Sequence, residues 1–139
     1  MALRFGKRTV EEMNRITVEQ LQITWERALR QLDRLEERES LLDRQRLWLK
    51  ANRGCKGWGI ANEKHQRLVD DWYGPMMDEW HRRCTAFDRL GDKADAGLVA
   101  AVHPYAKHGA RGLYQVRSER AKERAIPVER FIPSEEPPF

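Results

Sequence analysis

The sequence predicts an all-α protein: an elongated antiparallel helical bundle built on one long N-terminal helix, with an extended Pro-rich C-terminal tail. Three observations predict it. Thr17 to Arg53 runs 37 residues without Gly or Pro and is rich in the strong helix formers Leu, Gln, Glu, Arg and Ala. Leu21, Trp25, Ala28, Leu32, Leu35, Leu42 and Leu49 follow one another at steps of 3, 4 or 7, a heptad with Glu39 and Arg46 at two of its seam positions. Further on, Val69, Trp72, Met76, Trp80, Cys84, Phe87 and Leu90 repeat the spacing of 3 and 4 as an apolar stripe.

Taken in order, Arg4, Lys7 and Arg8 form a basic arm that Phe5 can anchor. Thr9-Val-Glu-Glu12 and Thr17-Val-Glu-Gln20 are both capping boxes. A short helix therefore either precedes the long one or is continuous with it. Gly54 is a natural stop, because Gly takes the left-handed conformation that ends helices. Asn62 is expected to cap a second helix reaching Leu90, stopped by Gly91. Gly74-Pro75 interrupts that helix, since Pro lacks the N–H and clashes one turn back. The stripe stays in phase across the break, which favours a kink over a reversal. The ring-rich face should pack on the long helix. Asp92 or Asp95 opens a short third helix through Gly97–Val102, and His103-Pro104 ends it. Leu113 to Ala125 reads as the last helix, with Leu113, Val116 and Ala121 inward and Arg117, Arg120, Lys122 and Arg124 outward. From Pro127 on there are four Pro in 13 residues, and the chain should be extended there, with Phe131, Ile132 and Phe139 available to dock. One helical domain over residues 1–126 and a tail over 127–139 follow.

Net charge is +4 and unevenly spread: residues 1–60 hold 13 basic and 9 acidic side chains, and residues 101–126 hold 6 and 2. Residues 61–100 and 127–139 are each net acidic. Arg dominates the basic residues, and its planar fork suits phosphate. Cys55 and Cys84 form no disulfide framework, no stretch is long and apolar enough to span a membrane, and the first ten residues lack the apolar core of a signal peptide. A cytoplasmic protein with reduced thiols is expected.

The candidate chemistry is basic rather than catalytic. Arg27, Arg30, Arg34 and Arg38 share a helix face, and Arg46, Lys50 and Arg53 form a second row. Each row reads either as a charge-laced, solvated face or as a phosphate-binding ridge. Arg53-Gly-Cys-Lys-Gly-Trp-Gly59 places three Gly within six residues beside Arg53, Lys56 and Trp58. Flexible backbone, two charges and one ring suit nucleic acid. The competing reading is an inter-helix hairpin with Trp58 tucked into the core. It is no nucleotide-binding loop, because no Gly-Lys-Ser/Thr follows. Lys107-His-Gly-Ala-Arg-Gly112 is a second loop of the same kind, with Lys107 and Arg111, and Arg117, Arg120 and Arg124 follow it. His81, Cys84, His103 and His108 lack a matching second half for a zinc site, and Cys84 lies on the apolar stripe as a small hydrophobe. Asp70, Asp71, Asp78 and Glu79 sit as solvated faces do. No catalytic residue, metal or cofactor is expected.

In length, helicity and basic surface the whole chain resembles the small subunits of multi-subunit CRISPR effector complexes. These are helical bundles that stack along the complex and contact guide RNA or a displaced DNA strand. The likeness is one of overall character, with no motif behind it. It implies a ribonucleoprotein assembly with a role in antiviral defence, RNA or single-stranded DNA backbone as ligand, and other subunits as partners, copies of this chain included. It implies nothing about individual residues. Two other readings stand beside it: a coiled-coil or bundle adaptor between proteins, of phage or plasmid origin, and a DNA-binding regulator. The last lacks the short recognition helix after a tight turn that a helix-turn-helix needs.

Overall fold

The computed structural model of the chain describes residues 9–124 and 138–139, and about 85% of the described residues are helical, with no strand among them. The basic arm at Arg4, Phe5, Lys7 and Arg8, and the tail from Pro127 through Pro137, lie outside the described residues.

Helix α1 spans Val10–Ala51, 42 residues. It starts earlier than Thr17. The Thr9 hydroxyl accepts the Glu12 backbone N–H at 3.1 Å, so Thr9, the first of the two candidate caps, opens the helix. Thr17 lies inside it and donates its hydroxyl back to the Met13 carbonyl at 2.9 Å. All seven apolar seam residues, from Leu21 to Leu49, are buried. Arg46 does not hold the seam position expected of it. Its side chain is 72% exposed, whereas Gln45 is 1% exposed. Gln45 lies three residues after Leu42 and four before Leu49, so it belongs to the buried stripe.

Helix α2 spans Trp58–Leu68, and Gly57, not Asn62, precedes its first residue, with φ of 84°. That left-handed conformation turns the chain sharply into the helix. Asn62 is an exposed position inside it. A π-helical turn, Val69–Tyr73, joins α2 to α3, Gly74–Asp92. The Gly74 N–H reaches back five residues to the Val69 carbonyl. The widened turn sits directly before Pro75, which has no N–H to give and whose ring crowds the previous turn. The helical run passes through the break without reversing, as the phase of the stripe implied. It ends at Asp92 rather than Leu90, with Gly91 inside it, where an added Cβ would stand 3.7 Å from the Val99 side chain. Helix α4 is Ala96–Ala100, with Asp95 at its cap position. A 3₁₀ turn, Ala106–His108, leads to α5, Ala110–Arg124.

The chain gathers into two compact units, cut after Leu29, Arg82 and Ser118. In the first unit, Trp25 meets Phe87 edge-on at 5.1 Å and stacks on His103 at 4.9 Å. Leu21, Ala28, Cys84, Val99, Ala106 and Leu113 are buried in the same unit. In the second unit, Leu32, Leu35, Leu42, Leu49, Ala61 and Trp80 are buried. Arg38 lies over the Trp72 ring at 4.4 Å and donates to the Trp72 carbonyl at 2.7 Å. Tyr73 donates its hydroxyl to Glu39 at 2.8 Å.

The inward face of α5 differs from the one expected. Ala121 is exposed, and Arg120 and Arg124 turn in. Arg120 pairs with Asp33 at 2.6 Å and Glu36 at 2.8 Å, and Arg124 with Glu36 at 3.1 Å and Glu39 at 3.3 Å. The reason is periodicity. Arg120 and Arg124 stand seven and eleven residues after Leu113, on its face, and α1 presents acids there. The buried stripe of α5 continues in charge where it runs out of apolar residues. No described helix is long and apolar enough to cross a membrane.

Candidate nucleic-acid interface

The first basic loop begins where α1 ends. Gly54 and Gly57 have φ of 82° and 84°, and nothing lies within 4 Å of where a Cβ would stand on either. The loop is therefore open. Cys55 and Lys56 in it are exposed, and so is Arg53 at its start. Trp58 is not. Its ring is half-buried, and its indole N–H donates to the Leu49 carbonyl at 2.7 Å. That carbonyl is among the last of α1, which have no partner within the helix. Trp58 thus ties the start of α2 to the end of α1.

The second basic loop is built otherwise. Gly109 has φ of 62°, and a Cβ there would collide with Asp88 Oδ1, the same atom that accepts the Ala110 backbone N–H at 2.6 Å. A Cβ on the buried Gly112 would collide with the Tyr105 carbonyl. These glycines serve close packing, whereas those of the first loop face open space. Lys107 and Arg111 are exposed, and Arg111 borders a shallow cleft with His108, Tyr114, Gln115 and Ser118. The first loop belongs to the second unit and the second loop to the first unit.

The remaining predicted residues divide by what they touch. Arg27, Arg30, Arg34 and Lys50 are exposed and have no ion-pair partner among the described residues. Arg46 pairs with Asp43 at 3.4 Å, with both side chains well exposed. Arg38, Arg120 and Arg124 make the internal contacts described above. Arg117 is half-buried, near the Cys84 thiol. Sequence reasoning passed over Arg44, which is exposed and has no ion-pair partner among the described residues.

Of the four groups weighed for zinc, Cys84 is fully buried, and burial, with Asp88 beside it, pushes its thiol up to about 12. His103 accepts the Tyr105 backbone N–H at 3.0 Å through Nδ1 and stacks on Trp25. No cluster of three or more His, Cys, Asp or Glu able to hold a metal occurs among the described residues. Asp70 and Asp71 are exposed.

What the sequence did not disclose is a groove in the second unit, between α1 and α2. It has a volume near 750 Å³ and is lined by Leu41, Arg44, Gln45, Lys64, Leu68 and Phe139, among others. His65 places its Nδ1 2.9 Å from Gln45 Oε1, and burial, with the Arg46 charge nearby, holds its imidazole below the ordinary value. The available signal was Gln45 itself, a polar residue at the spacing of the buried stripe. Compared with protein-family models, with curated proteins and with solved structures, the chain shows no significant match to any of them.

Proposed function

We propose that this chain is a non-catalytic, helical nucleic-acid-binding subunit of a ribonucleoprotein complex, holding an RNA or single-stranded DNA backbone through exposed Arg and Lys. One observation carries the reading. On the second unit Arg30, Arg34, Arg44, Lys50, Arg53 and Lys56 are all exposed and without an ion-pair partner among the described residues. The chain satisfies its own buried acids with other arginines, Arg120 and Arg124. Cations left over in this way suit phosphates, which are neutralised singly and without regard to base. The open, glycine-turned backbone at Lys56 lets a strand come close. Membership of a CRISPR effector complex is the specific form of this proposal and rests on overall likeness alone.

The test is fluorescence anisotropy with labelled single-stranded RNA and DNA of mixed sequence, over a salt series. Four phosphate contacts on a single strand predict a loss of about fiftyfold between about 50 and 200 mM salt. Charge reversal at Arg30, Arg34 and Lys56 should weaken binding to every sequence alike and flatten the salt slope by about 0.7 for each phosphate no longer neutralised. Affinity that ignores salt, or survives all three reversals, removes the proposal. The adaptor reading then takes its place.

A further inference from the structure

We propose that the groove between α1 and α2 is a docking site for a proline-aromatic peptide, and that the occupant it is built for is this sequence's own Pro138–Phe139 segment. The contacts are specific in kind. Gln45 is 1% exposed, and its Nε2 donates to the Pro138 carbonyl at 2.9 Å. Its other end, Oε1, is held by His65 Nδ1 at 2.9 Å. Gln45 is thus a buried amide with both ends engaged, oriented by a histidine so that its donor points at a backbone carbonyl. With the segment gone, that donor would be left without this partner inside the protein, a costly state for a buried amide. The second contact is aromatic: Phe139 meets Trp48 edge-on at 5.4 Å.

Proline suits the first contact. Pro138 has no N–H to satisfy, so its carbonyl is the one backbone group there that needs a partner, and Gln45 supplies it. A proline-rich segment is also stiff before it binds, so less freedom is lost on docking. Pro138 and Phe139 line the groove together with the apolar Leu41, Leu68 and Trp72 and the charged Arg44, Lys64, Arg67 and Asp71.

The test uses the full-length chain and a synthetic peptide of residues 132–139, labelled at its N terminus and followed by anisotropy. The Phe139→Ala chain, which lacks its own aromatic anchor, should bind the peptide. The wild-type chain should bind it at least about tenfold more weakly, because its own segment competes at high effective concentration. Adding Gln45→Ala to the Phe139→Ala chain should weaken the peptide by about five- to tenfold. A peptide ending in Ala in place of Phe should lose about thirtyfold. That last arm changes only the peptide, so it holds even if the Gln45 variant fails to fold, which a melting curve reports. The proposal is overturned if the Phe139→Ala chain does not bind the peptide. It is equally overturned if the Ala-ended peptide binds as tightly as the native one, since the groove would then be a nonspecific apolar surface.

Discussion

Burial gives the two cysteines different chemistry. Cys84 has no exposed surface in the first core, and desolvation, with Asp88 adding to it and Arg117 opposing, raises its thiol to about 12. Cys55 sits exposed in the open loop. The thiolate is the reactive form, so a thiol reagent should titrate one cysteine in the native protein and the second only in denaturant. Two thiols reacting at equal rates in native protein would contradict the burial of Cys84. His65 makes the stability of the fold depend on pH. Its folded pKa lies below the ordinary 6.5, through burial and then through Arg46. The native state therefore binds fewer protons than the unfolded chain just below 6.5. Its contribution is complete above that value and is lost as pH falls below it. Melting temperature should drop between neutral pH and about pH 5 more in the wild type than in His65→Asn. Equal drops would show that His65 does not report on this site.

At the scale of elements, each helix is held by what its face meets. Trp80 is fully buried, and its truncation to Ala should cost about 3–5 kcal/mol by urea unfolding. A near-neutral change would mean that the stripe on α3 is not core. Helix α5 makes a sharper case. Glu36 is 9% exposed and held by Arg120 and Arg124. Removing both arginines leaves a buried carboxylate alone and should cost about 3–5 kcal/mol. The exposed pair Arg67–Glu63, at 2.8 Å, offers the contrast, and Arg67→Ala should cost less than about 1 kcal/mol. Similar costs for the two would deny the difference in burial. Pro75, unable to donate, is accommodated by one wide turn, and Arg38 brings a donor to the Trp72 carbonyl within it.

At the scale of the whole molecule, helix dominates. With about 85% of the described residues helical and no strand among them, the far-UV circular dichroism should show deep minima at about 208 and 222 nm, and a β-rich spectrum would reject the fold. Three helices, α1, α3 and α5, contribute residues to each of the two units. Each unit therefore draws its core from stretches far apart in sequence, Trp25 with Phe87 in one and Arg38 with Trp72 in the other.

The long helix and its seam were legible because helical periodicity is local: apolar residues at steps of 3, 4 and 7 must share a face whatever they pack against. All seven seam residues are buried for that reason. The break at Gly74-Pro75 was legible because proline acts on its own preceding turn. Start points were less so. Thr9 and Thr17 offer the same capping box, and nothing local decides between two equal caps on one continuous helical pattern. Only the tertiary structure decided which charges face inward. Arg120 and Arg124 look like any exposed basic row until Asp33, Glu36 and Glu39 of α1 are brought opposite them. Gln45 reads as a polar interruption until His65 and Pro138 meet its two ends. Gly109 resembles the loop glycines at 54 and 57 until Asp88 fills the space beside it. In each case the deciding partner lies at least 20 residues away, and periodicity along one helix carries no information about what another stretch presents to it.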